Sequence, residues 1–386
     1  MADRKKDASV PEVVGWLSTK VDAMVDLLRR LVEVESPSSD TAACRACAEL
    51  LASAGEDILG VAAETVVTGD RVHLRWRTGG DAQVALLGHF DTVWPVGTLA
   101  ARPFTLRGDQ AFGPGAFDMK AGVVQGLFAL AALGVPDGVE VLLTSDEELG
   151  SPDSRGLIEN LGRRVEAVLV LEPSADGALK VARKGVSNYR LEVTGRPAHA
   201  GLEPEKGINA LSQLARLIPQ VEALADTSQG TTITPTMAAS GIATNMVPPS
   251  ATAEIDVRAL TVIEQTRVDE AMRALRPSIG GARLSVEGGP NRPPLEAALT
   301  AALFARASIL AAANGLGTLS AATAGGGSDG NLTAALGTPT LDGLGAVGDG
   351  AHAEHEHVLV SQMAPRAALV ALLVRDLLTA GGESKR

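Results

Sequence analysis

The sequence predicts an α/β fold in which a mostly parallel sheet with helices on both faces is interrupted by an inserted βαββαβ (ferredoxin-like) domain. Short apolar runs alternate with helical patterns in the first half of the chain. After Arg183 the pattern changes to alternating strands, and helices return after a segment rich in Gly and Pro. Since 386 residues fit two to three domains, we place the boundaries at 1–183, 184–292 and 293–386.

The first part begins with helical periodicity. Apolar residues recur at intervals of three and four over 13–54, and Pro37 and Gly55 mark helix ends, which predicts two helices before any strand. The stretch 61–77 alternates in hydropathy and predicts a further strand. Strands buried on both faces and the helices between them are then predicted as follows: strands 84–87, 139–143 and 167–171, and helices 121–133 and 154–161.

The inserted part has its own order of elements. Strands are predicted at 187–195, 231–240, 250–260 and 282–287, with helices at 208–225 and 263–275. This order is a self-contained unit of roughly 110 residues. The segment 288–294, Gly-Gly-Pro-Asn-Arg-Pro-Pro, predicts a linker because Pro and Gly interrupt regular elements.

Composition excludes several classes of partner. The formal net charge of −12 disfavours a nucleic-acid surface, and an aromatic content of 3% is too low for base-stacking platforms. The most apolar segments, 121–135 and 367–380, are shorter or more interrupted than a membrane span of ~20 residues. The first residues carry charge without a following apolar run, so we expect a cytoplasmic protein that acts on a small polar ligand.

The two cysteines, Cys44 and Cys47, lie in a helical apolar pattern. A zinc or redox pair would need partner thiols or a strand-to-helix turn, and neither is present here. We therefore interpret both as small core residues.

Acidic and imidazole side chains follow three of the apolar strands. His89 and Asp91 follow the first, Glu147 and Glu148 the second and Glu172 the third. Open α/β sheets bind ligands beyond the carboxyl ends of their strands. His89 and Asp91 are two residues apart and point to the same side in extended backbone, so the Asp91 carboxylate is expected to accept the free ring N–H of His89.

Asp118, at the start of the next helix, adds a further carboxylate. Each group alone has an ordinary alternative: a strand-end histidine, a helix N-cap at Asp118 or a solvated turn at Glu147 and Glu148. Together they fit a metal centre better. Carboxylates with one imidazole per ion suit zinc, cobalt or manganese, and a bridging carboxylate can hold two ions ~3.5–4 Å apart.

Longer motifs give the sequence a family resemblance over almost its whole length. It resembles the co-catalytic zinc peptidases and aminoacylases, which include bacterial glutamate carboxypeptidase, acetylornithine deacetylase and succinyl-diaminopimelate desuccinylase. The motifs, in order, are GHFDTV, GPGAFDMKAG, SDEELGS, LEPS, RKGVSNYRLEVTGRPAHAG, ATNMVP, DVRAL, GGGSDGN and GAHAEHE.

The resemblance implies two divalent ions, zinc first, with cobalt and manganese also suitable. It implies Asp118 as the bridging ligand and Glu147 as the general base that takes a proton from water and returns it to the leaving nitrogen. The remaining ligands would be His89 and Glu172 for one ion and Glu148 and His352 for the other. His355 and His357 crowd beside His352, but the family pattern selects His352. The Asp118–Met119 peptide bond is expected to be cis.

The resemblance also implies a substrate site. His199 would stabilise the oxyanion across a homodimer, and Asn245 and Arg258 would bind the α-carboxylate of the substrate. Gly326, Gly327 and Ser328 would offer backbone N–H groups to the same region. The inserted domain 184–292 would then serve dimerisation, and 1–183 with 293–386 would form the catalytic domain.

These implications define one function and its rivals. We expect a metal-dependent carboxypeptidase or amidohydrolase that releases a glutamate-like C-terminal amino acid from a peptidyl or N-acyl conjugate. The alternative is an N-acyl amino-acid deacylase of the acetylornithine deacetylase or succinyl-diaminopimelate desuccinylase type, and a non-catalytic binding protein is a third class. GLGAVG at 343–348 lacks a following helix pattern, and Ser328-Asp329 lacks GxSxG, so dinucleotide binding and serine hydrolysis are disfavoured.

Overall fold

The computed structural model describes residues 9–384. Its α-helices are α1 (Val10–Ser18), α2 (Val21–Glu33), α3 (Thr41–Leu59), α4 (Thr98–Ala101), α5 (Ala121–Ala132), α6 (Arg155–Arg164), α7 (Ala210–Glu222), α8 (Val262–Ala274), α9 (Ala297–Ala313), α10 (Gly330–Ala334) and α11 (Val360–Ser384). Its strands are β1 (Glu64–Thr68), β2 (Arg71–Arg77), β3 (Val84–His89), β4 (Thr105–Arg107), β5 (Gln110–Phe112), β6 (Val139–Thr144), β7 (Ala167–Val170), β8 (Leu179–Arg183), β9 (Gly185–Thr194), β10 (Thr232–Ser240), β11 (Ser250–Ala259), β12 (Arg283–Arg292), β13 (Ala321–Ala324), β14 (Thr340–Leu341), β15 (Gly348–Asp349) and β16 (His357–Leu359).

The chain forms two compact units. The first contains the described residues up to Ala182, then 296–324 and the residues from Ser328 onward. The second contains 183–295 and 325–327. The second unit thus extends to Leu295, whose backbone N–H and C=O both pair with Arg183.

The first unit is built on a mixed six-stranded sheet in the order β1-β2-β6-β3-β7-β14. Strands β6, β3, β7 and β14 pair in parallel, whereas β1 and β2 join the edge in antiparallel orientation. Every residue of β3 is buried, and its side chains alternate between two apolar clusters, with Leu86 in one and Leu87 in the other. This alternation explains why the central strands read as continuous apolar runs: both faces of the sheet carry helices.

Two predictions for the first unit need correction. Three helices, and not two, precede the sheet, because the helix breaks between Ser18 and Val21 without a Pro or Gly and the apolar periodicity continues across the break. The single strand predicted over 61–77 is a hairpin of β1 and β2, with Gly69 in the left-handed region at φ 60° between them. Because hydropathy alternates along both strands of the hairpin, the turn between them does not interrupt the pattern.

Two small sheets were not predicted. One pairs β13 with β8, and the other has the order β15-β16-β5-β4. Most of these strands have only two to four residues. Such lengths are too short to show a periodicity.

The second unit follows the order β9-α7-β10-β11-α8-β12. Its antiparallel sheet has the order β10-β11-β9-β12. Side chains from one face of β9 and β11, including Tyr189 and Ile255, form a core with both helices. The segment 288–294 was predicted as a linker, which is wrong for 288–292, because β12 continues to Arg292 with a register shift at Pro290. An edge strand tolerates this proline because the strand needs no donor on its outer side.

Two further sequence expectations concern the helices. Cys44 and Cys47 are buried free thiols on α3, which confirms their interpretation as core residues. Burial raises the pKa of the Cys44 thiol to about 12, so the thiol is unreactive at neutral pH. Among residues 9–384, no helix combines the length and apolar character that crossing a membrane requires.

Candidate metal centre

The carboxyl ends of three parallel strands bring the predicted groups together. His89 is the last residue of β3, and its strand neighbour in β6 is Thr144. Glu147 and Glu148 follow β6 in a single 3₁₀ turn, and Glu172 comes two residues after β7. Because β3, β6 and β7 run in parallel, these side chains emerge at one edge of the sheet.

Asp118 reaches this edge from an irregular turn, 116–120, that precedes α5. The Asp118–Met119 peptide bond is cis, as the resemblance implies. Gly115 enters the turn at φ 71°, where a Cβ would lie 2.4 Å from the Thr92 side chain. The turn therefore requires glycine at this position.

The two carboxylate oxygens of Asp118 face two different imidazoles. Oδ1 lies 3.4 Å from Nε2 of His89, and Oδ2 lies 3.4 Å from Nε2 of His352. His89 Nε2 is also 3.5 Å from Glu172 Oε1, and His352 Nε2 is 3.1 Å from Glu148 Oε1. Asp118 thus lies between two pairs, each of one imidazole and one glutamate.

The position of Asp91 differs in one detail from the expectation. Its backbone carbonyl, 3.0 Å from His89 Nδ1, is closer to the ring than its carboxylate oxygen at 3.4 Å. The carboxylate instead accepts hydrogen bonds from the Ser38 hydroxyl at 2.6 Å and from the backbone N–H groups of Glu147 and Glu148 at 3.3 and 3.2 Å. Asp91 therefore orients both the His89 ring and the turn that carries the two glutamates.

Electrostatics in this cluster are governed by burial and by the shared carboxylate. Burial alone would lower the pKa of His89, but its contacts with Asp118, Asp91 and Glu172 raise that pKa well above its usual value. Contacts with Asp118 and Glu148 raise the pKa of His352 to about 10. Burial opposes ionisation of Asp118, yet His352 and His89 hold its pKa far below the usual range.

Glu148 behaves differently from Asp118. Burial raises its pKa, and the nearby Asp118 carboxylate adds to the rise although His352 opposes it. The carboxylates of Asp118 and Glu148 thus compete for the positive charge of one imidazole, that of His352.

The donor set fits divalent cations. One ligand atom from each of His89, Glu147 and Glu172 lies within 4.8 Å of the others, and the same holds for His89, Asp118 and Glu148. Asp118 Oδ1 is buried and has no hydrogen-bond partner among the described residues. Since the carboxylates outnumber the imidazoles, added positive charge would relieve their repulsion.

The three clustered histidines separate in the structure. Only His352 contacts the acidic cluster, and its backbone lies in the left-handed region at φ 60°. His355 Nε2 lies 3.6 Å from Asp349, while His357 packs on Phe112 with its ring centre 5.2 Å away. The geometry supports His352 as the candidate ligand.

The candidate substrate residues His199, Asn245 and Arg258, with Gly326 and Gly327, lie in the second unit. His199 is exposed, and its Nδ1 accepts backbone N–H bonds from Gly201 and Leu202 at 3.1 Å, so Nε2 carries the proton and can donate. The Ala200 N–H donates to the Asn245 carbonyl at 2.8 Å, which links the two candidate segments.

Arg258 is already engaged by Asp256. The guanidinium forms a bidentate ion pair with this carboxylate, with Nε–Oδ1 at 2.9 Å and Nη2–Oδ2 at 2.8 Å. The carbonyls of Gly326 and Gly327 accept from Arg183 at 3.2 and 3.3 Å.

Ser328 belongs to the first unit, and its backbone N–H, which was predicted to serve a ligand, has a partner within the chain. This N–H donates to the Asn331 side chain at 2.9 Å, and the Ser328 hydroxyl donates to Asp342 at 2.6 Å. Ser328 therefore stabilises the start of α10.

Sequence reasoning missed Glu356. Its buried carboxylate accepts N–H groups from Gly115 at 2.9 Å, Phe117 at 3.0 Å and Asp118 at 3.1 Å, together with Trp94 Nε1 at 2.9 Å. It thereby fixes the turn that presents Asp118. The only sequence signal was an acid four residues after the candidate ligand His352.

The chain is similar to known proteins in sequence and in fold. The sequence model of the peptidase family M20/M25/M40 matches residues 85–376. Carboxypeptidase G2 of Pseudomonas sp. (strain RS-16) is 30% identical, over 92% of this chain and 89% of that protein. Succinyl-diaminopimelate desuccinylase 2 of Shewanella loihica is 36% identical, over 44% of this chain and 51% of that protein.

A solved structure shares the fold. The aminopeptidase PepT of Bacillus cereus aligns with a TM-score of 0.75 at 23% identity, over 93% of this chain and 99% of that one. The fold and the family match together define a metal-dependent hydrolase. The chain belongs to peptidase family M20/M25/M40.

Proposed function

We propose that the protein is a two-metal amidohydrolase that releases a C-terminal, glutamate-like amino acid from a peptidyl or N-acyl conjugate. One observation carries this proposal: Asp118 directs one oxygen toward His89 and the other toward His352. A carboxylate shared in this way suits a bridging ligand for two neighbouring ions.

His89 and Glu172 would hold one ion, and Glu148 and His352 the other. Zinc is the first candidate metal, and cobalt or manganese would suit the same oxygen and nitrogen donors. When bound, two such ions would polarise the amide carbonyl and allow water to act as a nucleophile at neutral pH.

Glu147 would act as the general base. Its backbone is held by Asp91, and one of its oxygens lies within 4.8 Å of ligand atoms of His89 and Glu172. From this position it would remove a proton from the attacking water and return it to the leaving nitrogen.

The second unit would recognise the substrate. Arg258 and Asn245 would bind the α-carboxylate of the released amino acid, with Gly326 and Gly327 offering backbone N–H groups nearby. Arg258 already donates to Asp256 through Nε and Nη2. It would therefore bind the substrate carboxylate through its remaining N–H groups.

His199 would stabilise the oxyanion through its exposed Nε2–H, supplied across a homodimer. The ferredoxin-like inserted domain would mediate that dimer. Its edge strand β10 is largely exposed and carries Met237 with 70% exposure, and Ile242 beyond it has 80% exposure. Exposed apolar residues at a strand edge support an interface between copies of the chain.

Two kinds of substrate compete. Similarity to carboxypeptidase G2 over most of both chains favours release of a C-terminal amino acid. The desuccinylase match over less than half of the chain supports deacylation of an N-acyl amino acid as the alternative. Released free amine from N-acyl glutamates, peptidyl glutamates and N-succinyl diamino acids, measured on the zinc and cobalt forms, would rank the two.

The test of mechanism is Glu147→Gln, which keeps the shape of the side chain and removes its basicity. We expect kcat to fall by roughly 10²–10⁴-fold while the variant still binds two metal ions. Metal content is measured by elemental analysis beside the amine-release assay. Glu49→Gln, an exposed substitution on α3, is the control and should leave kcat unchanged. Full activity in Glu147→Gln would refute the base assignment.

A further inference from the structure

A pocket of about 380 Å³ opens on the first unit beside the turn that carries Asp118. Its lining comes from segment 101–107, from the end of β5 and from the loop that follows His352. We call it the arginine pocket, and the residues used below are Arg102, Arg107, Phe112, Glu354 and His355.

Two guanidinium groups face this pocket without acidic partners. Among the described residues, neither Arg102 nor Arg107 forms an ion pair within 4.0 Å, whereas arginines such as Arg75, Arg164 and Arg306 do. The chain as a whole carries a net charge of −12. The two arginines therefore place positive charge at this pocket in a protein whose net charge is negative.

Aromatic rings hold both arginines in place. The Arg102 guanidinium lies 3.8 Å from the centre of the Trp94 ring, and the Arg107 guanidinium lies 5.2 Å from the centre of Phe112. Trp94 is itself fixed by its Nε1 donation to Glu356. Apart from a 3.4 Å contact of Arg102 with the Ala353 carbonyl, the described residues offer these guanidinium donors no hydrogen-bond acceptor.

We propose that the arginine pocket binds the anionic group, a carboxylate or a phosphate, of a small polar ligand. A planar guanidinium matches two oxygens of either group, and stacked arginines lose little conformational freedom on binding. The volume lies within the range of small-molecule sites. His355 adds a ring donor to the same wall, and Glu354 is the acid that opposes an anion there.

The anion has two possible sources: a distal acid group of the substrate, or a free anion. A chain of contacts joins the pocket to the metal centre. Arg102 stacks on Trp94, Trp94 donates to Glu356, and Glu356 accepts the Asp118 N–H. Anion binding itself does not depend on the proposed function. Only its attribution to the substrate rests on that function, so the two can fail separately.

Calorimetric titration of the metal-loaded protein with inorganic phosphate and with succinate, at low ionic strength, tests binding. We expect Arg107→Ala to weaken binding about tenfold. Arg102→Lys should also weaken anion binding, because lysine keeps the positive charge but lacks the planar guanidinium that donates to two oxygens. Glu354→Gln should tighten binding about twofold, since it removes the opposing charge.

Arg276→Ala is the matched control. Arg276 is exposed in the second unit and donates only to backbone carbonyls, so its loss changes the net charge equally without touching the pocket. If Arg107→Ala weakens binding no more than Arg276→Ala, or Glu354→Gln does not tighten it, the anions bind elsewhere and the proposal is overturned.

Kinetics then separates the two sources. If the substrate supplies the anion, Arg107→Ala raises KM for conjugates with an acidic acyl group and leaves KM for uncharged analogues unchanged. If a free anion occupies the pocket, KM stays the same for both conjugates while phosphate or succinate binding is weakened. Both results support an anion site, and each identifies its ligand.

Discussion

Asp118 can face two imidazoles because hydrogen bonds to its turn fix the position of its backbone. Three backbone N–H donors of its turn, from Gly115, Phe117 and Asp118, converge on the single carboxylate of Glu356. Burial raises the pKa of Glu356, and the backbone N–H groups of Asp118 and Gly115 oppose that rise. The orientation of one candidate ligand thus depends on a residue that does not face the cluster.

Glu356→Gln tests this positioning role. The amide group places an N–H where the turn requires an acceptor, so the Asp118 side chain should lose its fixed orientation. We expect metal affinity to fall roughly 10–100-fold, as is usual when a partner of a metal ligand is removed. Zinc titration by calorimetry measures the change, with circular dichroism to verify folding.

The neighbouring Glu354→Gln serves as control, since Glu354 is exposed and the N–H donors of the turn go to Glu356. Its metal affinity should equal that of the unmodified protein. Equal zinc affinity in Glu356→Gln and the unmodified protein would show that the turn does not need this carboxylate.

Individual site residues could be predicted from the sequence by their position after apolar strands. His89, Glu147, Glu148 and Glu172 were found because each follows an apolar run. Glu356 was missed because its partners lie about 240 residues away and the local sequence offers several polar residues. The contact of His89 with the Asp91 carbonyl also depends on the path of the backbone, which side-chain spacing does not specify.

Helix α5 illustrates how an element positions the site. It follows the Asp118 turn directly and approaches Leu171, the residue between β7 and Glu172. A Cβ added to Gly122 would lie 2.0 Å from the Leu171 carbonyl oxygen, and one added to Gly126 would lie 2.7 Å from the Leu171 side chain. The two glycines therefore allow the helix to approach the backbone that leads into Glu172.

Gly122→Ala should force this helix away from the sheet. We expect the free energy of unfolding to fall by about 3 kcal/mol. Urea unfolding followed by tryptophan fluorescence suits this test, because Trp16, Trp76 and Trp94 all lie in the first unit. Metal affinity should fall as well, since Asp118 and Glu172 lie at the two sides of this contact.

Gly156→Ala on α6 is the matched control, because a Cβ there meets nothing within 4 Å. This substitution should stabilise the helix by about 0.5–1 kcal/mol. If Gly122→Ala does not lower the free energy of unfolding either, the close approach of α5 to Leu171 does not restrict the side chain at this position.

Elements of the buried sheet were predictable, and short peripheral ones were not. β3, β6 and β7 are buried along their whole length because they are covered on both faces, and their mostly apolar sequences are a strong local signal. Strands such as β15, with two residues, depend on partners distant in sequence. The end of β12 was not predicted because Pro290 indicates an interruption of the strand unless the strand is known to lie at an edge.

On the scale of the whole molecule, the candidate ligands come from distant parts of one unit. His89 and His352 are separated by the complete second unit in the sequence, yet both lie within 3.4 Å of Asp118. The order of strands and helices could be predicted for the second unit and for the parallel strands of the first, because each has its own hydrophobic pattern. The bridging role of Asp118 and the participation of His352 were inferred only from family motifs, since no local pattern links residues so far apart in sequence.

The central claim is that Asp118 holds two ions between two imidazole–glutamate pairs. Anomalous diffraction from crystals of the zinc-loaded protein tests it most directly. We predict two peaks roughly 3.5–4 Å apart, one beside His89 and Glu172, the other beside His352 and Glu148, with Asp118 between them. A single peak, or zinc bound at His355 and His357 away from Asp118, would contradict the account.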